Sequence, residues 1–386
     1  MKKVLFFIES LGGGGAEKVL ATLVSHIDKE KFDVTVLTVV KTGVYVEEVE
    51  KHCRLLTLLP DDTELTNPLE RIKYKLDYKF IYSAPARMVY QRYIHERYDV
   101  EVAFVEGFAT KLIAASTNPT SKKICWLHID MVQNPYADAY FRSLEEEKAA
   151  YGKYSSIVAV SKSVKETFEQ KFGIKGTTCV IYNPVDSMDI SQKAKTIQPE
   201  KKTDCLHLVS TGRLVKQKGY DRLIAALASV RNKDLTYHLW ILGEGEDRGK
   251  LEGMISDNHL EEKITLLGFQ NNPYPWVAAS DVFICSSRAE GYSLAIAEAM
   301  ILGKPIISVD CSGPNELLDY GKYGLLIPNE DECLEEVIYQ LLMGKIDIQK
   351  LCRLSQERKC FFELTNAINQ VEMLLSDAKQ VSCIFE

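Results

Sequence analysis

Two glutamates, Glu290 and Glu298, frame the stretch of the sequence that is best suited to chemistry. Glu290 follows the apolar run 282–285, which predicts a buried strand, and Glu298 lies among small apolar residues typical of a buried helix. Ser293 is a candidate N-cap for that helix. A buried carboxylate is costly unless a partner satisfies it. One acid at the mouth of the helix and one inside it therefore indicate a polyhydroxylated ligand, and the N–H groups at the helix N-terminus would suit a phosphate.

Two cationic residues, Arg213 and Lys218, lie in another predicted strand-to-helix loop. The strand is predicted at 206–210, and the helix that follows carries Leu223 and Leu227 at helical spacing. Two cations in one such loop could bind a diphosphate. The alternative is that both side chains only solvate the surface.

A glycine-rich turn, Leu11 to Ala16, follows the first predicted strand and precedes a predicted helix. Glycines such as Gly14 and Gly15 allow the backbone to approach a ligand closely, so the turn could contact a phosphate or an acceptor, or be only a tight turn. A dinucleotide site is disfavoured, because Glu17 or Lys18 would occupy the third glycine position and no acidic residue follows the second strand.

Other polar residues follow predicted strands elsewhere in the chain. His128 follows the strand 123–127, and Glu106 follows the strand that begins at Val100. A single histidine is more often structural than functional, but ligands gather at the carboxyl ends of parallel strands. His128 is therefore a candidate site residue, with a structural role as the alternative.

Apolar strands and amphipathic helices alternate through the chain, which predicts parallel sheets covered by helices. A length of 386 residues suffices for two domains, each with its own core. We expect them at 1–184 and 185–365. The polar, aperiodic stretch 187–204 predicts a linker or an exposed loop, and 332–343 and 351–380 predict helices.

The composition is that of a soluble globular protein, with 46% hydrophobic and 26% charged residues. No apolar run approaches the roughly 18 residues of a transmembrane helix, and Glu9 interrupts the N-terminal run too early for a signal peptide. Ten scattered cysteines without a C-x-x-C pair are typical of reduced cytosolic thiols rather than zinc ligands or disulfides. The sequence thus predicts a cytoplasmic protein.

Charge is shared unevenly along the chain, whose net charge is −7. Residues 1–184 carry 25 Lys and Arg against 24 Asp and Glu, a net of +1, and residues 185–386 carry 22 against 30, a net of −8. Seven basic residues and many aromatics crowd the stretch 71–97, which contains only two acids. This stretch could attach to an anionic membrane surface, or form helices whose aromatics pack on the sheet. Nothing indicates nucleic acid as a partner.

The motifs, taken in order, resemble those of family 4 glycosyltransferases. The resemblance rests on the glycine-rich turn, the histidine at a strand end, Asn-Pro-Val-Asp at 183–186, Gly-Arg-Leu with Lys-Gly at 212–219, and two glutamates separated by seven residues. It implies the GT-B fold, an α/β architecture of two Rossmann-like domains facing each other across a cleft. The first domain would bind the acceptor and the second the nucleotide sugar, and a helix from about 366 to 386 would cross back to the first domain.

The same resemblance implies an enzyme that transfers a hexosyl unit, with retention, from a nucleotide sugar, foremost a UDP-sugar. The acceptor would be a glycan, lipid-linked, in cell-surface polysaccharide synthesis, with the enzyme peripheral on the inner face of the plasma membrane. No cofactor or metal is expected, and no D-x-D motif occurs. Catalytic roles are implied for Arg213, Lys218, Glu290 and His128. Donor-binding roles are implied for Gly14, Gly15, Gly243, Glu244, Phe269, Gly291, Tyr292, Ser293, Leu294 and Glu298.

Two other functions remain open from the sequence. A GT-B sugar-nucleotide epimerase would turn over the donor without an acceptor. A non-catalytic nucleotide-sugar-binding subunit is the second alternative, against which the presence of all four residues Arg213, Lys218, Glu290 and Glu298 argues.

Overall fold

A computed structural model describes residues 1–61, 63, 65–230 and 235–376 and divides the chain into two units. Unit 1 contains residues 1–184 and the segment from Thr365 onward, and unit 2 contains residues 185–364. The chain therefore leaves unit 1 after Pro184 and returns to it at Thr365.

Unit 1 is built on a parallel sheet in which the N-terminal strand lies near the centre. Its strands are β1 (Lys2–Phe7), β2 (Phe32–Val40), β3 (Arg54–Leu59), β4 (Val100–Ala103), β5 (Lys122–Leu127), β6 (Ser156–Ala159) and β7 (Thr178–Val180), in the spatial order β3-β2-β1-β4-β5-β6-β7. Phe6 of β1 pairs with Val36 on one side and Val102 on the other. The strands are mostly apolar on both faces, as expected of a parallel sheet covered by helices.

Helices connect these strands and cover the sheet. They are α1 (Gly15–His26), α2 (Val46–His52), α3 (Pro68–Ser83), α4 (Ala86–Tyr93), α5 (Phe108–Ala114), α6 (Leu144–Tyr151) and α7 (Lys162–Phe172). The boundaries of α7 follow from its sequence. The Ser161 side chain accepts a hydrogen bond from the N–H of Val164, and Gly173 ends the helix in the left-handed conformation.

Unit 2 repeats the same architecture. Its strands are β8 (Leu206–Thr211), β9 (Tyr237–Leu242), β10 (Ile264–Gly268), β11 (Val282–Cys285), β12 (Ile306–Val309) and β13 (Leu325–Ile327), all parallel and in the order β10-β9-β8-β11-β12-β13. Its helices are α8 (Ser187–Lys193), α9 (Tyr220–Ser229), α10 (Arg248–Asp257), α11 (Tyr274–Ala279), α12 (Leu294–Ile301), α13 (Ser312–Leu317), α14 (Asp331–Leu342) and α15 (Ile348–Arg358).

The last described helix, α16 (Leu364–Leu375), packs in unit 1. Its apolar face is buried, with Val371 and Leu375 fully inaccessible. Glu372 accepts a hydrogen bond from the backbone N–H of Asp28 at 2.9 Å, and the Lys122 ammonium donates to the carbonyl of Leu374 at 2.7 Å. The first unit is thus completed by a segment that follows the second in sequence.

The predicted α/β class is confirmed, with a parallel sheet in each unit. Two local predictions were wrong. Residues 187–193, predicted as linker or loop, form α8, because the Asp186 carboxylate caps the N–H groups of Met188 and Asp189 and Ile190 is buried. Residues 351–380, predicted as one helix, contain two helices that are separated before Leu364, and 377–380 lie outside the described residues.

No helix within the described ranges is both long enough and apolar enough to cross a membrane.

Candidate active site

The carboxyl ends of two neighbouring strands define the candidate site in unit 2. Strands β8 and β11 are paired, with Leu208 opposite Val282. The loop 212–219 follows β8 and the loop 286–293 follows β11, so topology alone places them side by side. The cationic loop and the two-glutamate stretch, which are about 70 residues apart in sequence, therefore meet at one edge of the sheet.

Lys218 and Glu290 form an ion pair at this edge. Lys218 Nζ lies 2.5 Å from Glu290 Oε1, and the Ser287 hydroxyl donates to the same oxygen at 2.7 Å. Burial disfavours the charged form of Lys218, but the Glu290 carboxylate outweighs it and raises the pKa of Lys218 above its ordinary value. Only 20% of the Lys218 side chain and 8% of the Glu290 side chain are exposed, so the pair lies largely out of water.

A second set of contacts fixes the two loops to each other. The Arg288 guanidinium bridges Asp221 at 2.7 Å and the carbonyl of Lys216 at 2.8 Å. Ser286 Oγ donates to the carbonyl of Lys218 at 3.0 Å. Gly219, at φ 66°, has the Ser286 carbonyl against it, and a Cβ there would lie 2.1 Å from that oxygen. The position of Lys218 thus depends on a glycine that no other residue can replace without displacing a loop.

A small, partly open cavity lies beside the ion pair. It is lined by residues of β8 and β11, of both loops and of the starts of α9 and α12. These are Ser210, Thr211, Lys218, Tyr220, Phe283, Cys285, Ser287, Glu290, Ser293 and Ala295.

Arg213 is the more exposed cation of the site. It lies close enough to Lys218 for its positive charge to oppose protonation of that lysine. Arg213 and Lys218 therefore lie together, as the sequence predicted, but only Lys218 lines the cavity and carries a carboxylate partner.

The helix α12 starts where the sequence predicted. Ser293 occupies the N-cap position in extended conformation, although its side chain makes no capping hydrogen bond. Glu298 is buried within the helix, 7% exposed, and is hydrogen-bonded to Tyr274 of α11. Glu298 thus points into packed protein rather than into the cavity, and Tyr274, whose pKa is raised by burial and by the Glu298 charge, is its partner.

Backbone contacts hold the remaining predicted residues of the two-glutamate stretch. Gly291 and Tyr292 are buried against Gly313, where a Cβ would lie 2.8 Å from Tyr292 Cα. The N–H of Gly313 donates to the carbonyl of Glu290 at 2.9 Å, and Leu294 begins α12.

Gly243, Glu244 and Phe269 follow the next strands along the same edge. The N–H of Gly243 donates to the carbonyl of Gly268 at 2.8 Å, which joins the two turns. Glu244 is paired with Arg248 at 2.6 Å, and Phe269 is 43% exposed. These three residues lie at the edge predicted for them and outside the residues that line the cavity.

The other three predicted residues lie in unit 1. Gly14 is the N-cap of α1 and Gly15 its first residue. The Glu17 carboxylate folds back over Gly14, where a Cβ would lie 2.3 Å from Glu17 Oε2. The N-terminus of α1 therefore already has a carboxylate beside it, which counts against a phosphate at this turn.

His128 follows β5, as predicted, and its backbone is held by a carboxylate. The N–H groups of His128 and Ile129 both donate to Glu106 Oε1, the second at 2.9 Å. The His128 ring lies 5.2 Å from the Phe104 ring and its pKa is lowered by burial to about 4. Burial raises the pKa of Glu106 to about 7.

Sequence reasoning missed Ser287 and Arg288 as site residues, and Glu106 as the partner of His128. The signal for Ser287 and Arg288 was their place in the same turn as Glu290. For Glu106 the signal was its place after the strand next to that of His128, because neighbouring parallel strands end at the same edge.

Comparison with known proteins agrees with this architecture. Residues 13–188 match the family model described as Glycosyltransferase Family 4, and residues 206–343 match the model described as Glycosyl transferases group 1. An N-acetylgalactosamine-N,N'-diacetylbacillosaminyl-diphospho-undecaprenol 4-alpha-N-acetylgalactosaminyltransferase of Campylobacter jejuni is 31% identical over 346 residues, which cover 86% of this chain and 87% of the relative. The chain belongs to the family 4 glycosyltransferases.

Solved structures confirm the GT-B fold of this glycosyltransferase. Anabaena HepE in complex with UDP and glucose matches with a TM-score of 0.72 and 22% identity, over 98% of this chain and 100% of that one. Sucrose-phosphate synthase of Thermosynechococcus elongatus matches with a TM-score of 0.74 and 17% identity, over 97% and 98%. Family membership and fold together identify the protein as a hexosyltransferase.

Proposed function

We propose that the protein transfers a hexosyl unit, with retention, from a UDP-sugar to a lipid-linked glycan acceptor in the synthesis of a cell-surface polysaccharide. The observation that carries this proposal is the cavity of unit 2, where Lys218, Glu290 and the start of α12 meet at the carboxyl edge of the sheet. The names of relatives support the finer terms. HepE is described in complex with UDP-glucose, and the acceptor of the Campylobacter relative is a diphospho-undecaprenol.

Departure of the nucleoside diphosphate is the step that this cavity would assist. Negative charge develops on the leaving phosphate, and preorganised cations and N–H donors stabilise it most strongly where water is scarce. Lys218 and Arg213 would supply cations. In α12 the N–H of Ala297 donates the first hydrogen bond, to the carbonyl of Ser293. The N–H groups of Leu294 and of the two residues after it come before that bond, so they would serve as donors to the phosphate. No metal ion is needed in this scheme.

The two glutamates would serve different parts of the donor. Glu290, which lines the cavity, would bind hydroxyls of the donor sugar. Its ion pair with Lys218 would fix the position of the sugar-binding carboxylate relative to the phosphate-binding ammonium. Glu298, inside α12, would bind the ribose hydroxyls, and this role would require it to share or exchange its bond to Tyr274. His128 would contact a sugar hydroxyl from unit 1.

We further propose that α3 attaches unit 1 to the inner face of an anionic plasma membrane, where a lipid-linked acceptor would be found. Its 16 residues contain one buried side chain, Ile81. Leu69, Ile72 and Leu76 form an apolar stripe with 73%, 57% and 63% exposure, flanked by exposed lysines such as Lys75. An outward apolar stripe beside basic residues is the pattern of a helix that lies in a membrane interface.

A donor screen tests the transferase. UDP- and GDP-sugars are added without acceptor, with and without EDTA, and thermal stabilisation and nucleotide release are measured. We expect stabilisation by a UDP-sugar with slow release of UDP that EDTA does not change. Conversion of the donor to another sugar nucleotide without release would identify the epimerase instead.

The matched variant for this screen is Lys218→Ala. Loss of UDP-sugar stabilisation in the variant would support the donor site. Stabilisation without any turnover, even with lipid-linked acceptors supplied, would favour the non-catalytic binding subunit. No response of the natural sequence to any nucleotide sugar would exclude the donor site assigned to Arg213, Lys218, Glu290 and Glu298.

A further inference from the structure

Glu106 is a buried carboxylate at the centre of unit 1, only 1% exposed, just beyond the end of β4. Its Oε1 accepts hydrogen bonds from the N–H groups of His128 and Ile129, which follow the neighbouring strand β5. The contact therefore joins two adjacent strand ends at the edge where His128 lies.

The groups that face this carboxyl give it no cation. They are the Cys125 thiol on β5, Tyr151 on α6 and Tyr136, whose hydroxyl donates to the Glu106 backbone carbonyl at 3.2 Å. Among the interactions of the described residues, backbone N–H groups alone favour its ionised form, and burial opposes it. A buried carboxylate compensated only by N–H groups is costly, so Glu106 is poorly explained as a stabilising residue.

The Glu106 carboxylate holds the start of the loop that follows β5, which is where His128 lies. The backbone of Phe104 hydrogen-bonds the His128 ring, and Nε2 is buried with no partner among the described residues. The proton is therefore assigned to Nδ1, and Nε2 is left as an acceptor. The ring is neutral above about pH 5, because burial lowers its pKa to about 4. A neutral ring in one tautomer has one donor nitrogen and one acceptor nitrogen, so its hydrogen-bonding pattern is defined.

We propose that Glu106 is a positioning residue of the transferase: by binding the N–H groups of His128 and Ile129, it fixes the backbone that carries the His128 ring. The positioning itself is a property of unit 1, whereas its effect on turnover rests on the proposed function. Glu106 itself need not touch a substrate.

Glu101, a residue of β4 itself, provides a matched control. It is also fully buried, and its Oε1 accepts from the Tyr90 hydroxyl at 2.5 Å, far in sequence from the His128 loop. Glu106→Ala and Glu106→Gln are therefore compared with Glu101→Gln. Gln at position 106 keeps a carbonyl oxygen for the two N–H groups, so it serves as the conservative rescue and as the second variant if the alanine protein does not fold.

The first measurement is NMR of ¹⁵N-labelled protein, with the His128 signals assigned by their loss in His128→Asn. We expect Glu106→Ala to shift the amide protons of His128 and Ile129 upfield and to give a mixture of ring tautomers. Glu106→Gln should keep the Nδ1–H tautomer and shift both amide protons upfield by a smaller amount, because a neutral amide oxygen accepts more weakly than a carboxylate. Glu101→Gln should leave all these signals in place. Unchanged amide and ring signals in Glu106→Ala, or unchanged amide shifts in Glu106→Gln when the alanine protein does not fold, would overturn the proposal.

The second measurement is kcat with the donor found by the screen. We expect Glu106→Ala to lower kcat about tenfold or more with UDP affinity unchanged, and Glu106→Gln to recover most of it, since small displacements of a positioned group have large effects on rate. The pKa of Glu106 is about 7, so its carboxyl ionises between about pH 6 and pH 8. The ionised carboxylate should bind the two N–H groups more strongly than the neutral acid does. We therefore expect kcat to rise over this range in the natural protein and to stay flat in Glu106→Gln.

These two measurements separate the proposals. Displaced His128 signals with unchanged kcat would overturn the role of Glu106 in turnover. Displaced signals in a protein that turns over no donor would overturn the transferase reaction and support the positioning of His128 by Glu106.

Discussion

At the scale of single residues, Lys218 shows how the fold keeps a buried charge. Burial alone would favour the neutral amine, and the nearby Arg213 adds to that effect, yet Glu290 at 2.5 Å reverses it. A lysine in this state is a compact cation with its position fixed by one carboxylate, which suits stabilisation of a leaving phosphate.

Replacement of Lys218 by alanine should lower kcat/KM by about two orders of magnitude or more, on the scale of losing one transition-state donor. Steady-state kinetics with the best UDP-sugar measures this. Lys216→Ala is the control, because Lys216 lies in the same turn with an exposed side chain, and its backbone carbonyl, which accepts from Arg288 and from the N–H of Gly219, is kept in the variant. A loss below tenfold in Lys218→Ala would remove Lys218 from the mechanism.

Glu290→Gln should move the alkaline limb of the kcat/KM profile to lower pH. The Glu290 charge is what raises the pKa of Lys218, and without it burial and Arg213 both lower that pKa, so Lys218 loses its proton earlier as the pH rises. In the natural protein the limb should lie above the ordinary lysine pKa of about 10.4, so profiles from about pH 7 to pH 11 measure the shift. An alkaline limb at the same pH in both proteins would mean that Lys218 does not titrate in the assay. Glu244→Gln, which removes a carboxylate paired with Arg248 instead, should leave the limb unchanged.

The sequence predicted that Arg213, Lys218 and Glu290 belong to one site, because strand ends and turn residues leave local patterns. The contacts that it did not predict have physical causes. Ser287 and Arg288 were missed because their roles depend on contacts to Glu290 and Asp221, and a sequence does not show which residue of a neighbouring loop lies opposite. Likewise, α8 was missed because its stability comes from the Asp186 cap and one buried isoleucine rather than from a periodic apolar face.

At the scale of secondary-structure elements, α3 is unusual because its apolar stripe points away from the protein. Asn67 caps it and Pro68 starts it, so the helix is well specified locally despite having a single buried residue. Part of the basic stretch is engaged internally. Arg92 of α4 pairs with Asp77 at 2.9 Å, and Arg71 donates to the carbonyl of Leu65 at 2.9 Å. The basic residues left for a membrane are therefore Lys73, Lys75, Lys79, Arg87 and Arg97.

Charge reversal of Lys73, Lys75 and Lys79 to glutamate should release the protein from anionic liposomes, because each lysine near such a surface contributes about 1 kcal/mol. Co-sedimentation with phosphatidylserine vesicles measures the bound fraction. Lys153→Glu with Lys175→Glu is the control, since both are exposed lysines of unit 1 outside α3. Equal binding of the reversed and natural proteins would show that α3 is not the membrane surface.

At the scale of the whole molecule, the chain crosses twice between its units, and α16 contributes core residues to unit 1. Ile368, Val371, Leu374 and Leu375 are all buried, and burial of each such side chain stabilises by about 2 kcal/mol. Together they amount to a large part of the roughly 5–15 kcal/mol by which a typical domain is stable.

Val371→Asp should therefore destabilise the protein strongly, by about 4 kcal/mol, because it places an unpaired charge in the core of unit 1. We expect a fall in Tm of about 10 °C or more, or loss of folded protein. Met373→Asp is the control on the same helix, since Met373 is 41% exposed. Similar Tm values for the two variants, measured by circular dichroism, would contradict the packing of α16 described here.

The return of the chain to unit 1 also sets an order of events during translation. Every residue of unit 2 leaves the ribosome before α16 does, although the strands of unit 1 are made first. The nascent first unit must wait with an uncovered apolar surface where Val371 and Leu375 will later pack, while the second unit has its whole sequence available. Such a chain would be most exposed to aggregation, and most dependent on chaperones, during the synthesis of residues 185–364.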